Sequence, residues 1–171
     1  MTTAILQKDE PLLRDIAEPV APQEFGTVPL QKILHAMSAA LAACDDGVAI
    51  AAPQIGVSKR IFVVAGRVFL EEGSELPPPP DMVFINPSLT KLSSSKIILD
   101  EGCLSVRGYY GKIERAEKAT VEAYDFLGKK FSRGAAELLA QIFQHEVDHL
   151  DGVLFIDRAI SLEEAPRKEV R

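Results

Sequence analysis

The chain has 171 residues, of which 47% are hydrophobic and 26% are charged, and its formal net charge is -6. This balance is typical of a globular domain with its own core, so we expect residues 1–171 to form a single domain, with residues 160–171 as a polar tail. The negative charge and the absence of long runs of like charge argue against direct nucleic-acid binding. No stretch approaches the roughly eighteen apolar residues of a membrane span.

The N-terminal segment predicts no secretory signal or transit peptide, which favours a cytoplasmic location. Two cysteines are too few for a disulfide framework, so we expect thiols or metal ligands.

The first predicted elements are an arm over residues 1–26 and a helix over residues 27–47. Apolar residues recur at helical spacing in this helix, Thr27 is suited to its N-cap, and Gly47 lies just beyond its end. A proline-rich loop at 71–81 reads as an excursion within the domain. Three strands are predicted around it, at 60–66, 82–87 and 96–99.

The second half of the chain predicts a strand hairpin and then the strongest helix. The segment "ATVEAYDFLGKKF" reads as two strands joined by a turn at Leu127–Gly128. Residues 134–150 carry a wide apolar stripe at helical spacing, and Gly152 suits the C-terminal cap. The stripe consists of Ala135, Leu138, Leu139, Ile142, Phe143, Val147 and Leu150. Strands around a late core helix indicate an α+β domain.

The segment "HEVDH" places two of the three histidines four positions apart on this helix. Positions i and i+4 lie on one helix face, about 5–6 Å apart at Cβ, so His145 and His149 can bind one metal ion. Glu146 is rotated to the side, from where it can reach a metal-bound water without binding the metal itself. A pair of surface histidines is the alternative. Because neighbouring apolar residues predict a buried face, the motif favours a hydrolytic metal site.

A catalytic site of this kind needs a third protein ligand and an open coordination position. One known metallopeptidase pattern places a third histidine after the motif, but Phe155 occupies that position. Another pattern uses a glutamate on a later helix, whereas Glu163 and Glu164 lie in the predicted polar tail. An ordinary metallopeptidase is therefore disfavoured, and the third ligand is expected upstream.

Three upstream side chains are candidates for the third ligand. His35 lies near the apolar stripe of the first helix, where a satisfied or half-exposed core histidine is the better interpretation. Cys44, at the end of that helix, is interpreted as a small buried thiol. Cys103 lies in "DEGCLSVRGYYG", outside regular helix, where both a ligand and a buried thiol stay open.

Three segments resemble, in order, the three motifs of the peptide deformylase family. "GVAIAAPQIG" at 47–56 stands in the place of that family's G-x-G-x-A-A-x-Q loop. "EGCLS" at 101–105 and "QHEVDH" at 144–149 match its other two motifs. The similarity extends over nearly the whole chain, to about Ala159.

The resemblance implies antiparallel β-sheets packed around a central helix that carries the H-E-x-x-H motif. It implies Cys103, His145 and His149 as ligands of one divalent metal ion, with water as the fourth ligand. It also implies a metal-dependent hydrolase that removes the formyl group from N-formylmethionine on newly made polypeptides. Its partners would be N-formylmethionyl peptides and nascent chains at the ribosome, and we expect a monomer.

The resemblance also implies roles for residues around the metal. The water attacks the formyl carbon while Glu146 accepts its proton and then passes it to the leaving amine. The Gln54 side-chain amide and the Leu104 backbone N–H are the implied donors to the oxyanion. Glu101, Gln144 and Asp148 are candidates for hydrogen bonds to the histidine ligands. Four residues match positions that line the substrate pocket in relatives: Val48, Ala49, Leu138 and Ile142.

One cysteine and two histidines suit zinc, iron, cobalt or nickel. The resemblance implies ferrous iron in the cell, with zinc, nickel or cobalt able to replace it in a purified sample. The chain departs from the family pattern at two positions. Ala49 stands where the first motif has its second glycine, and Arg107 stands where a proline is frequent in relatives.

Several alternatives stay open from the sequence. The chain would be a divergent, non-catalytic relative that binds metal or peptide if its site were degenerate. A closed structural metal site would need Cys44 or His35 as a fourth ligand. Cys103 would instead act as a thiol nucleophile if it were paired with a histidine.

Overall fold

The structure is a computed structural model that describes residues 4–165. Within this range it contains two α-helices, Val28–Ala42 (α1) and Glu137–Leu150 (α2). The β-strands, in chain order, are Ala49–Ala51 (β1), Ile61–Val64 (β2), Met82–Leu92 (β3), Lys96–Gly102 (β4), Tyr109–Ala116 (β5), Lys118–Tyr124 (β6), Lys130–Ala136 (β7) and Ser161–Glu164 (β8). Neither helix is long and apolar enough to cross a membrane.

The strands form two sheets whose paired neighbours are all antiparallel. The larger sheet has the strand order β1-β2-β3-β6-β7, and the smaller sheet has the order β4-β5-β8. The predicted hairpin is confirmed as β6 and β7. Gly128 in its turn has a φ of 82°, a conformation that glycine adopts without steric cost.

The larger sheet separates the two helices. Successive side chains of a strand point to opposite faces of its sheet. Phe62 and Val64 of β2 pack in a core shared with α2, whereas Ile61 and Val63 pack in a second core shared with α1. Because all four side chains are fully buried, both faces of this sheet are covered.

The predicted first helix is confirmed as α1. The Thr27 side chain accepts a hydrogen bond from the Leu30 backbone N–H and so caps the helix. The apolar stripe is buried at Leu30, Leu34, Met37, Ala40 and Leu41. His35 is exposed, so the prediction of a core histidine is wrong. Its position on α1 points away from the stripe that packs on the sheet.

Stacked and edge-on aromatic rings fix α2 against the larger sheet. The ring centroids of Phe62 and Phe84 lie 4.5 Å apart, and Phe84 meets Phe143 of α2 at 5.2 Å. Such pairs add about 0.5–1.5 kcal/mol each beyond the burial of their surface. The turns of α2 that follow Phe143 are therefore held rigidly, and these turns carry the H-E-x-x-H motif.

The strongest predicted helix begins later than the sequence predicts. It was expected over residues 134–150, but Lys130–Ala136 completes β7 and α2 begins at Glu137. Ala135 matches the helical stripe by its spacing, yet it pairs with Ala119 of β6. The backbone N–H and C=O groups of residues 134–136 bond to β6 in the hairpin, so they are not part of the helix. Glu137 then turns the chain abruptly, with a φ of 53°.

The predicted polar tail is wrong for residues 161–164. These residues form β8, which pairs with Tyr109–Lys112 of β5. All four side chains are exposed, so hydrophobic patterning gave no signal, and backbone pairing with β5 defines the strand. The last residues of the predicted tail, 166–171, lie outside the described residues.

Candidate metal centre

The end of β4 and one face of α2 bring three predicted ligands together. Cys103 follows directly after β4, and His145 and His149 lie one turn apart on α2. One ligand atom from each of the three side chains lies within 4.8 Å of the other two. Tetrahedral ligands at 2.0–2.3 Å from a metal lie about 3.5 Å apart, so the spacing fits one shared ion. Within residues 4–165, no other group of His, Cys, Asp and Glu side chains has this geometry.

The contacts of the two histidines indicate which nitrogen of each would bind the ion. His145 Nδ1 lies 3.1 Å from Glu101 Oε2, which leaves Nε2 as the ligand atom. His149 Nε2 lies 3.2 Å from Cys103 Sγ. His149 Nδ1 is buried and has no hydrogen-bond partner among the described residues. The sulfur thus faces the nitrogen through which His149 would bind the metal.

Arg115 binds the Glu101 carboxylate, which in turn contacts His145. Its Nε and one terminal nitrogen donate to the two carboxylate oxygens of Glu101 at 3.1 and 2.6 Å. Its other terminal nitrogen donates to Asp148 at 2.7 Å. Arg115 and Glu101 are almost completely buried. Burial raises the pKa of Glu101, but hydrogen bonds from His145 and Arg115 outweigh this effect and lower the pKa to about 2.

The other two predicted partners of the histidines bind elsewhere. Asp148 accepts a hydrogen bond from Arg115 and forms an ion pair with Arg158 at 3.3 Å. Gln144 binds the backbone N–H and C=O of Ala116 at 2.9 and 3.0 Å, so it fastens α2 to the end of β5. Of the three candidates, only Glu101 contacts a histidine ligand.

Sequence reasoning missed Arg115, although a signal was present. Gly111, Ile113 and Arg115 alternate along β5, and all three are buried. When buried positions alternate along a strand and one of them is an arginine, the pattern indicates a buried cation, and a buried cation requires an anionic partner.

The unpartnered carboxylate oxygen of Glu146 and the donor set of Cys103, His145 and His149 together fit a metal ion. The Glu146 side chain is buried, and its Oε2 has no hydrogen-bond partner among the described residues. Burial raises the pKa of Glu146 to about 7. A cation held by the neighbouring thiolate and imidazoles would lower this pKa again and favour the ionised form. One thiolate and two imidazoles are also a donor set that divalent transition metals prefer.

A pocket of about 420 Å³ opens beside these residues. Its walls include Cys103, His145 and Glu146, which places two of the three ligands and the carboxylate at one surface, while His149 is buried behind it. All six further residues predicted for catalysis or substrate binding also line it: Val48, Ala49, Gln54, Leu104, Leu138 and Ile142. Its size falls in the usual range for small-ligand sites.

Ala49 does not strain the backbone of the first motif. It lies in β1 and pairs with Val64, and its φ is not among the positive values. The strand therefore does not require glycine at this position, and the methyl group becomes part of the pocket wall.

Gln54 is held with its amide against the sulfur. Its Oε1 accepts from the Ala51 N–H at 2.8 Å. Its Nε2 donates to Ser105 Oγ at 3.0 Å and lies 3.7 Å from Cys103 Sγ. Because Gln54 is 1% exposed, this donor has a fixed position inside the pocket.

The fold and the site together define a metal-dependent hydrolase. A rigid helix presents two imidazoles, a distant strand end adds a thiolate, and a buried carboxylate adjoins them at a pocket. No fourth protein ligand lies close enough, within residues 4–165, to close the coordination sphere. Metal sites with an open position are the catalytic ones.

Comparison with known proteins identifies the family. The family model for polypeptide deformylase matches residues 2–165. The peptide deformylase of Halothermothrix orenii is 41% identical over 156 residues, which cover 91% of this chain and 92% of that protein. That of Desulforudis audaxviator is 43% identical over 118 residues, or 69% of this chain and 70% of that protein. The chain belongs to the polypeptide deformylase family and is an enzyme of that family.

Solved structures agree with this assignment. The class I type b peptide deformylase from Acinetobacter baumannii, with actinonin bound, superimposes with a TM-score of 0.81 at 35% identity. The match covers 93% of this chain and 99% of that chain. The same enzyme with Met-Ala-Ser bound gives a TM-score of 0.81, covering 92% of this chain and 99% of that chain. The predicted arrangement of antiparallel sheets around a helix is confirmed.

Proposed function

We propose that this enzyme hydrolyses the N-formyl group from the N-terminal formylmethionine of newly made polypeptides, with Cys103, His145 and His149 as ligands of one catalytic metal ion. The observation that carries this proposal is the convergence of these three side chains beside Glu146 at the pocket. We also propose that the enzyme works as a monomer in the cytoplasm on nascent chains at the ribosome.

The proposed metal is ferrous iron in the cell, which zinc, nickel or cobalt can replace in a purified sample. When bound, such an ion polarises a carbonyl oxygen and makes a water molecule more acidic. Thiolate ligation supports the choice of a divalent transition metal over magnesium or calcium. Glu101 and Arg115 support His145 by fixing the orientation of its ring.

Glu146 is the proposed general base and acid. It follows His145 directly, lines the pocket and has an unpartnered buried oxygen. From there it accepts a proton from the attacking water and delivers that proton to the leaving amine of methionine. Its position without a competing hydrogen bond keeps Oε2 free for both transfers.

Gln54 Nε2 and the Leu104 backbone N–H are the proposed donors to the oxyanion of the tetrahedral intermediate. Both residues line the pocket next to Cys103. Val48, Leu138 and Ile142 are the proposed apolar contacts of the methionine side chain, and Ala49 is proposed to lie against the substrate; Leu138 lines the pocket although 48% of its surface is exposed. The Met-Ala-Ser peptide bound to the Acinetobacter baumannii enzyme supports a methionine-first ligand.

A thiol nucleophile is the second candidate, because Cys103 Sγ and His149 Nε2 are within hydrogen-bonding distance. A catalytic thiol needs a base that a third group orients. His149 Nδ1 lacks such a partner among the described residues, and Glu146 would have no function in that mechanism. The metal mechanism gives Glu146 a function as the proton acceptor.

The test is an assay of formate release with protein purified and analysed for metal under anaerobic conditions. We expect release from formyl-Met-Ala-Ser, none from acetyl-Met-Ala-Ser, loss of activity after chelation and recovery on adding iron. An unchanged rate after complete metal removal would favour the thiol mechanism. Absence of formate release from fully metal-loaded protein would refute the proposed activity.

A further inference from the structure

Asp46 and Arg107 form an ion pair between two segments that flank the pocket. The Arg107 guanidinium donates to both carboxylate oxygens of Asp46, at 2.6 and 3.2 Å. Both residues line the pocket, and 61 positions of sequence separate them. Asp46 precedes the strand that leads to Gln54, and Arg107 belongs to the loop of residues 103–108 that carries Cys103 and Leu104. The pair therefore connects the segments that bear the two proposed oxyanion donors.

Other contacts fix each segment to the body of the protein. Arg67 donates to the backbone oxygen of Gly47 and to that of Cys44, which holds the Asp46 turn. Gln7 of the N-terminal arm donates to the Leu104 backbone oxygen at 3.1 Å and accepts from the Arg107 N–H at 3.3 Å. The ion pair is thus an exposed side-chain link between two separately supported pieces of backbone, which the buried Gln54–Ser105 hydrogen bond also connects.

The two segments also lie close together at Gly47 and Leu104. A methyl group built on Gly47 would lie 3.2 Å from Leu104 Cδ1, so no larger side chain fits between them. Loss of the ion pair would therefore leave the Leu104 side chain packed, but the loop of residues 103–108 would lose its charged contact with Asp46 at Arg107. Movement would then concentrate in the backbone after Cys103.

The other charged residues of the pocket are consistent with an ion pair between Asp46 and Arg107. Arg107 is the sole lysine or arginine among the described residues that line the pocket. Two of the acidic residues in its wall already bind other cations: Asp100 binds Lys112, and Glu101 binds Arg115.

We propose that the Asp46–Arg107 pair is a positioning clamp that holds the loop of residues 103–108, and with it the Leu104 N–H, in the geometry needed for the transition state. This inference rests on the proposed function. Because the two side chains are 67% and 47% exposed, the pair contributes little to global stability. Its effect falls on kcat, since an oxyanion donor acts chiefly in the transition state.

The test compares Asp46→Ala, Arg107→Ala and the exchanged pair Asp46→Arg/Arg107→Asp with Lys96→Ala as control. Lys96 forms an ion pair of similar exposure with Glu114, at 3.3 Å, and neither residue lines the pocket. We expect each single variant to lower kcat about threefold to tenfold with little change in KM. The exchanged pair should recover most of this loss, and Lys96→Ala should match the wild type.

Hydrogen exchange at residues 104–108 gives a readout that does not depend on turnover. In metal-loaded protein the single variants should exchange faster there, and the exchanged pair should approach the wild-type rate. Wild-type exchange in both single variants would overturn the clamp, as would an exchanged pair no better than either single variant. If the wild type released no formate but exchange followed the expected pattern, the proposed activity would fail and the clamp would stand.

Discussion

The Glu101 carboxylate lies 3.1 Å from Nδ1 of His145. This contact fixes which imidazole nitrogen faces the metal position, and it places a negative charge behind the ligand. Glu101 lies near the end of β4, and Cys103 directly follows that strand. The same short segment therefore supplies one metal ligand and the residue that orients His145.

Removal of this support should weaken metal binding. We expect Glu101→Ala to lower the affinity for Co²⁺ or Zn²⁺ by about 10- to 100-fold. Competition with a chromophoric chelator measures this change. Glu114→Ala on β5 is the control, because Glu114 is exposed and binds Lys96. Equal affinities for the Glu101 variant and the wild type would contradict the supporting role.

Arg115 should contribute more to stability than any exposed arginine. Its loss leaves Glu101 and Asp148 buried without their main cation, so Arg115→Met should lower the free energy of unfolding by about 3–5 kcal/mol. Arg158 also binds Asp148 but is 56% exposed, and Arg158→Met should cost less than about 1 kcal/mol. Urea unfolding of both variants measures the difference, and similar losses would contradict the account.

The pKa of Glu101 predicts how the stability of the metal-free protein depends on pH. The folded-state pKa is about 2, below the ordinary value of 4.5. A depressed pKa stabilises the folded state above pH 4.5, and this contribution of about 3 kcal/mol is lost as the pH falls toward 2. Urea unfolding should therefore show the difference between wild type and Glu101→Gln shrinking across that interval. A difference that stays constant from pH 6 to pH 2 would assign the acid sensitivity to other groups.

Glu146 should be required for turnover but not for metal binding. Glu146→Gln removes the proton acceptor while keeping the size of the side chain, so we expect kcat to fall about 10²- to 10⁴-fold. Elemental analysis should still find one metal ion per chain. Loss of the metal in this variant would indicate that Glu146 is a ligand, and retained turnover would exclude it as the base.

The sequence predicts the site better than it predicts the strands around it. The spacing of His145 and His149 defines a helix face, and that face survives an error of three residues in the start of the helix. Cys103 could not be selected by spacing, because 42 positions separate it from His145 and only the ordered motifs pointed to it. Long-range pairing decides such contacts, and local pattern carries little information about it.

The missed strands share a physical cause. β8 consists of exposed residues, and it exists because the backbone of Tyr109–Lys112 offers hydrogen-bonding partners. In β5, a charged residue, Arg115, occupies a buried position where an apolar residue would be expected. β8 is exposed throughout, and the alternating buried positions of β5 include Gly111 and Arg115, so neither strand shows the polar and apolar alternation by which strands are recognised in sequence.

The most direct test of the metal centre compares Cys103→Ser with Cys44→Ser. Both residues are partly buried free cysteines, but only Cys103 lies within reach of both histidines. In the Co²⁺-loaded protein we expect one ion per chain and a thiolate-to-metal charge-transfer band in the wild type and in Cys44→Ser. Cys103→Ser should lose the band, most of the metal affinity and formate release. A Cys103→Ser protein that kept the band and full turnover would contradict the three-ligand centre.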